Sequence, residues 1–220
     1  VGTPDGLILI DCGAEDLYDL LMIEISKKFP KKPVVAVLLT HGHADHAGAG
    51  HYFLEEGVPV YAPIGDAYII AMGNNFPGVP EQFTYTGYQP TGFLYGGDTI
   101  FGLRVLSTPG HTPGSISFYN EITRVLFTGD TTISYQEDDT GFGDLTFEME
   151  YFTMLFSDNE SLNAQLGSLN GLLERALEKQ IKAILPGHNR SYYGAEEAQR
   201  YILHSIDVVT QVLGTKTFPP

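Results

Sequence analysis

The segment LLTHGHADHAG, residues 38–48, places three histidines and an aspartate within six positions: His41, His43, Asp45 and His46. Imidazole nitrogen and carboxylate oxygen are the donors that zinc accepts, as do iron and manganese less selectively. Side chains two apart on an extended backbone point the same way, so His41 and His43 can reach one cation. Gly42 keeps the space between them clear. If the chain then turns into a loop or the start of a helix, Asp45 and His46 swing round to serve a second cation beside the first. A single histidine here would be an ordinary packed or surface residue, but four donors in a row share no such explanation.

Two more histidines occupy similar settings. In STPGHTPGS, His111 follows a strand-like run and is flanked by Pro109, Gly110, Pro113 and Gly114, which set a tight loop and expose the ring. In AILPGHNR, His188 follows an apolar run and a Pro-Gly turn, and in VLFTGD Asp130 comes straight after a strand. Asp130 alone would pass as an ordinary loop acid. Five histidines and two aspartates are about what two four- or five-coordinate cations need once a carboxylate and a solvent oxygen are shared. His51 and His204 read as helix residues with no assigned role.

Strands must deliver these donors. Leu7–Asp11 and Val34–Thr40 read as buried strands, joined by a helix over Ala14–Phe29 with its apolar stripe at Leu17, Leu20, Leu21, Ile23 and Ile25. The first donor cluster then lies at the carboxyl end of the second strand, where open α/β sheets place their sites. Short helices over Gly48–Glu56 and Gly65–Met72 flank a strand at Val58–Ala62. Further strands are expected at Thr99–Ser107, Ser115–Asn120, Arg124–Thr128 and Ile181–Leu185, and helices at Ser161–Lys179 and Ala195–Leu213. Two stretches, Gly73–Gly97 and Thr131–Phe156, show no period and carry many aromatic residues but no Lys or Arg. A cleft bordered by them, with Tyr85, Tyr88, Phe147 and Tyr151 among its aromatics, would favour an apolar acyl or cyclic substrate.

At 220 residues and 43% hydrophobic composition, the chain is expected to form a single domain over residues 1–220. Twelve basic against 27 acidic residues give a formal charge of −15. Such a surface repels polyanions, so no nucleic-acid partner is expected. No apolar run approaches a membrane helix, so no membrane partner is expected either. A small-molecule substrate remains, and a homodimer stays open. The lone Cys12 reads as a buried core residue. The compartment is unassigned, with a lean to the cytoplasm.

These motifs, LILIDCG, THGHADHAG, TPGHTPGS, LFTGD and LPGH in that order, resemble the metallo-β-lactamase superfamily. The resemblance implies an α+β fold, an αββα sandwich of two mixed β-sheets flanked by helices, with the family's first N-terminal hairpin absent or cut short before Leu7. It further implies that His41, His43 and His111 bind one metal ion, that Asp45, His46 and His188 bind the other, and that Asp130 bridges them. Asp11 matches the carboxylate that supports the ligand loop from behind. The implied cofactors are two divalent metal ions, zinc first, with iron or manganese as alternatives.

The expected reaction is hydrolysis of a small acyl substrate by a hydroxide shared between the two cations, with Asp45 orienting it as the catalytic carboxylate. The presence of Asp130 and of the full His-x-His-x-Asp-His cluster is similar to the thioesterase, lactonase and glyoxalase II side of the superfamily. Alternatives on the same scaffold are a β-lactamase, an iron-dependent oxygenase of the persulfide dioxygenase kind, and a non-catalytic binding protein.

Overall fold

Each apolar run that precedes a donor becomes a strand. The computed structural model describes residues 1–132, 158–179, 181–188 and 190–215. They group into two units, Val1–Tyr95 and Gly96–Pro220.

The first unit holds a four-stranded sheet in the order β1 (Leu7–Ile10), β2 (Val34–Leu38), β3 (Val60–Pro63) and β4 (Gly92–Leu94), paired in parallel throughout. Parallel neighbours need crossovers, and helices provide them. Helix α1 (Tyr18–Lys28), entered through a 3-10 turn at Glu15–Leu17, links β1 to β2. Its Asp19 start and Lys27–Lys28 end complement the helix dipole. Short helices α2 (Ala44–Ala47) and α3 (Gly50–Glu55) lead to β3, and α4 (Ala67–Ala71) follows it. Val37, Leu39, Phe53, Val60, Ala62 and Ile70 form the core, against which Tyr18, Leu21 and Met22 of α1 pack. Leu17, Leu20 and Ile23, expected on the inward stripe, are instead about half exposed. Of the expected stripe Leu21 does pack against the core, and Tyr18 and Met22 join it on the inward face of α1.

The second unit holds a six-stranded mixed sheet in the order β10 (Tyr192–Tyr193), β9 (Ala183–Pro186), β8 (Val125–Gly129), β7 (Ile116–Asn120), β6 (Leu103–Ser107) and β5 (Thr99–Ile100). Strands β5 to β8 form an antiparallel meander, while β8 and β9 pair in parallel. The run Thr99–Ser107, expected as one strand, is a hairpin. Phe101 and Gly102 both take positive φ, 48° and 76°, as a two-residue turn of the right twist requires. Helices α5 (Asn159–Lys179) and α6 (Ala195–Thr215) pack together through Leu162, Leu169, Val209 and Val212. Of the irregular stretch expected at Thr131–Phe156, residues 133–156 lie outside the described residues, Phe147 and Tyr151 among them. No helix among the described residues is long and apolar enough to cross a membrane.

Candidate metal centre

In the first unit the donors begin three residues past β2. His43 is extended, φ −72° and ψ 157°, and caps α2, so Asp45 and His46 fall in that helix's first turn. The His41 ring centroid lies 4.8 Å from that of His43 and 4.0 Å from that of His46. Asp45 Oδ2 is 3.6 Å from His46 Nε2. His41 and His46 are buried, whereas the Asp45 side chain is 51% exposed.

A network of hydrogen bonds sets the tautomers of His41 and His46. Asp11 follows β1 with a left-handed backbone, φ 61°, that Asp tolerates better than most residues. Its Oδ1 accepts from the Thr40 amide at 2.7 Å, and its Oδ2 accepts from the Thr40 hydroxyl at 2.8 Å and from His46 Nδ1 at 2.8 Å. The proton of His46 is thereby fixed on Nδ1, and Nε2 keeps its lone pair. Because the Thr40 hydroxyl donates to Asp11, it accepts from His41 Nδ1, 3.0 Å away. One carboxylate thus sets the tautomer of two imidazoles.

Three side chains that the motif does not reveal hold the same loop. Asp66, fully buried, accepts from the Gly42 amide at 2.8 Å. Tyr85 donates to the Gly42 carbonyl and Tyr88 to that of Ala47, both at 2.7 Å. Burial raises both phenols well above their usual range, so they stay protonated as donors. Tyr85 and Tyr88, expected to border a substrate cleft, are buried anchors of the ligand loop instead. Gly42 does more than clear space between His41 and His43, since a Cβ there would lie 2.9 Å from Ile69 Cγ2. Cys12 is buried, and its thiol, donating to the His46 carbonyl at 3.2 Å, is pushed well above its usual range. It is no thiolate nucleophile.

The second unit brings its three expected donors together. Asp130 follows β8 directly, His111 lies in the loop after β6, and His188 lies two residues past β9. Asp130 Oδ2 is 3.4 Å from His111 Nε2 and 3.3 Å from His188 Nε2. His111 is buried and the His188 side chain is 52% exposed. Helix α5 clamps both loops. Gln165, fully buried, donates to the Thr131 carbonyl at 2.9 Å, and Ser168 donates to that of Pro109 at 2.7 Å. Gly110, φ 141°, lets its loop lie against α5, because a Cβ there would come within 2.4 Å of the Gln165 backbone. The sequence signal for Gln165 is a polar residue in phase with the buried Leu162, Leu169 and Leu172.

The donor chemistry of these residues suits a divalent cation: imidazoles with one nitrogen directed, and a carboxylate oxygen shared by two rings. The sequence profile of the metallo-beta-lactamase superfamily matches residues 1–188. The chain belongs to the metallo-β-lactamase superfamily. It is similar to the probable metallo-hydrolase YybB of Bacillus subtilis strain 168, 32% identical over 138 residues, covering 61% of this chain and 60% of that protein. It is also similar to the human acyl-coenzyme A thioesterase MBLAC2, 28% identical over 198 residues, 80% of this chain and 63% of the relative. The chain thus spans less than two thirds of the length of each of these two relatives. The solved structure of the metallo-beta-lactamase family protein TTHA1429 from Thermus thermophilus matches with a TM-score of 0.72 at 19% identity, over 96% of this chain and 73% of that one. That likeness shows the α+β fold of the superfamily.

Proposed function

We propose that the chain is a dinuclear metal-dependent hydrolase of a small acyl substrate, a thioester or lactone, and that the clusters of both units build one site in one domain. His41, His43 and His111 would hold one divalent cation, Asp45, His46 and His188 the other, and Asp130 both. Zinc is the cation that this mixture of imidazole and carboxylate suits first. The carrying observation is that Asp130 Oδ2 lies within 3.4 Å of a nitrogen of His111 and of His188, residues assigned to different ions. A bridging carboxylate needs that position. The similarity to a thioesterase supports the acyl reading.

When bound, the metals supply a water that ionises near neutral pH and a Lewis acid for the carbonyl. The protein's own groups do the rest. Asp45, half exposed beside His46, accepts a hydrogen bond from the attacking water and aims it. Asp11 holds His46 directly, and His41 through Thr40, in the ligating tautomer. For a thioester, the water oxygen bonds to the carbonyl carbon and the C–S bond breaks. One water proton ends on the leaving sulfur, and the other is released from the carboxylic acid formed.

The test is a panel of thioesters, lactones and β-lactams offered to zinc-loaded protein and to Asp130→Asn. Turnover of a thioester or lactone that drops by orders of magnitude in the variant supports the reading. Turnover of β-lactams alone, or full activity in Asp130→Asn, would overturn it.

A further inference from the structure

The second unit carries a groove of about 550 Å³ between β6 and α5. Its two long walls differ in kind. Along β6 run Arg104, Leu106 and Thr108, and along α5 run Ala164, Gly167, Ser168, Gly171 and Arg175. The small residues of α5 fall at spacings of three and four, which is one helix face. A Cβ on Gly167 or Gly171 would meet no described atom within 4 Å. Close packing against the described residues therefore does not require these glycines, although mid-helix glycine weakens a helix. What they do is keep the groove open.

The ends of the groove have different chemistry. At one end stand Arg104 and Arg175, and neither forms an ion pair among the described residues, in a chain with 27 acids and 12 bases. Two guanidinium groups without carboxylate partners suit an oxyanion, a phosphate above all, which they can bind through paired N–H groups. The net charge of −15 does not forbid this, because charges beyond about 8 Å are screened at physiological salt while contacting guanidiniums are not. At the other end is Pro109, two residues from His111, its carbonyl held by Ser168. From Arg104 to Pro109 the extended chain covers roughly 17 Å at about 3.3 Å per residue. Between the ends, Leu106, Leu172 and the glycines offer a narrow, uncharged passage.

We infer that this groove binds the phosphate-bearing carrier end of a thioester substrate, with the phosphate on Arg104 and Arg175 and the carrier arm running along α5 toward the His111 loop. The inference rests on the proposed hydrolase reading and narrows it: the substrate is an acyl group on a long, phosphorylated thiol carrier. The acyl chain and the anionic carrier then occupy separate surfaces. This is why the absence of Lys and Arg from residues 73–97 does not exclude a phosphorylated substrate.

Two measurements on the metal-loaded protein test it. The first compares one acyl group carried on coenzyme A and on pantetheine, which lacks the phosphates. The native protein should favour the coenzyme A thioester by at least about tenfold in kcat/KM, through KM. Arg104→Gln with Arg175→Gln should erase that preference and leave the pantetheine thioester rate unchanged. Gly167→Leu, which fills the groove and strengthens the helix, should erase it too. Equal rates on both carriers in the native protein, or a preference that survives in both variants, would overturn the inference. The second is calorimetric binding of free coenzyme A and of inorganic phosphate. Coenzyme A should bind the native protein and not the double arginine variant. Loss of thioester turnover with that binding intact would count against the acyl chemistry and leave the groove standing. No binding, or phosphate bound as tightly as coenzyme A, would overturn the carrier assignment.

Discussion

Replacing Asp11 by Asn should disable the metal site while barely changing the shape of the protein. The amide matches the carboxylate in size, and its oxygen can keep the Thr40 amide bond made by Oδ1 at 2.7 Å. The NH2 then takes the place of Oδ2, which accepts from both the Thr40 hydroxyl and His46 Nδ1, each at 2.8 Å. A donor now faces two donors. His46 relieves the clash by moving its proton to Nε2, and the Thr40 hydroxyl turns to donate to His41 Nδ1. His41 then carries its proton on Nε2 as well. Each ring must be forced back to its former tautomer before it can bind a cation. At about 1.5–3 kcal/mol for a lost charge-assisted hydrogen bond, that is roughly 10- to 150-fold in affinity per ion. It matches the 10–100-fold typical of partners behind metal ligands. The assay is zinc competition against a chromophoric chelator, with a thermal melt of metal-free protein as the control. Both ions should weaken by about tenfold or more while the metal-free Tm moves little. Affinity for both ions within about threefold of the native value would refute the tautomer argument.

Tyr85→Phe removes the hydroxyl that satisfies the buried Gly42 carbonyl. It should lower stability by about 1–3 kcal/mol in a denaturant titration, and an unchanged midpoint would return Tyr85 to plain packing. His204 gives a pH effect. Burial lowers its pKa, so the unfolded chain takes up the proton first as pH falls through about 6.5, and stability declines with acidification. In metal-free protein, His204→Gln should flatten the fall of Tm below about pH 6.5, and parallel native and variant curves would contradict that origin.

The gathering of His41, His43 and His46 was legible because metal chemistry needs particular side chains at short spacing, and His41 to His46 lie within six positions. The strands β1, β2, β3, β7, β8 and β9 were legible because each is an apolar run bounded by Gly, Pro or polar residues. Strand β4, three residues with sequence GFL, was hidden inside the stretch expected as loop, because three residues show no period and the parallel partner β3 supplies the order. Strand β10 is two tyrosines and escapes for the same reason. Asp66 lies three residues past β3, at the end of a 3-10 turn, and nothing in IGDAY separates a buried anchor from a common helix-start acid. Tyr85 and Tyr88 looked like substrate aromatics because sequence does not say where a phenol oxygen points. In α5, the leucine spacing would put Leu177 on the inward face, but it is 59% exposed, and the buried phase runs through Leu162, Gln165, Leu169, Leu172 and Ala176. Helical phase over 21 residues drifts enough to misplace such a residue.

Metal content decides the central claim. Protein stripped and reloaded with zinc, then freed of loosely held ion, should retain about two equivalents per chain. His188→Ala should retain about one, because it removes a donor of one ion and leaves those of the other. A native stoichiometry of one, unchanged by His188→Ala, would contradict the two-metal account.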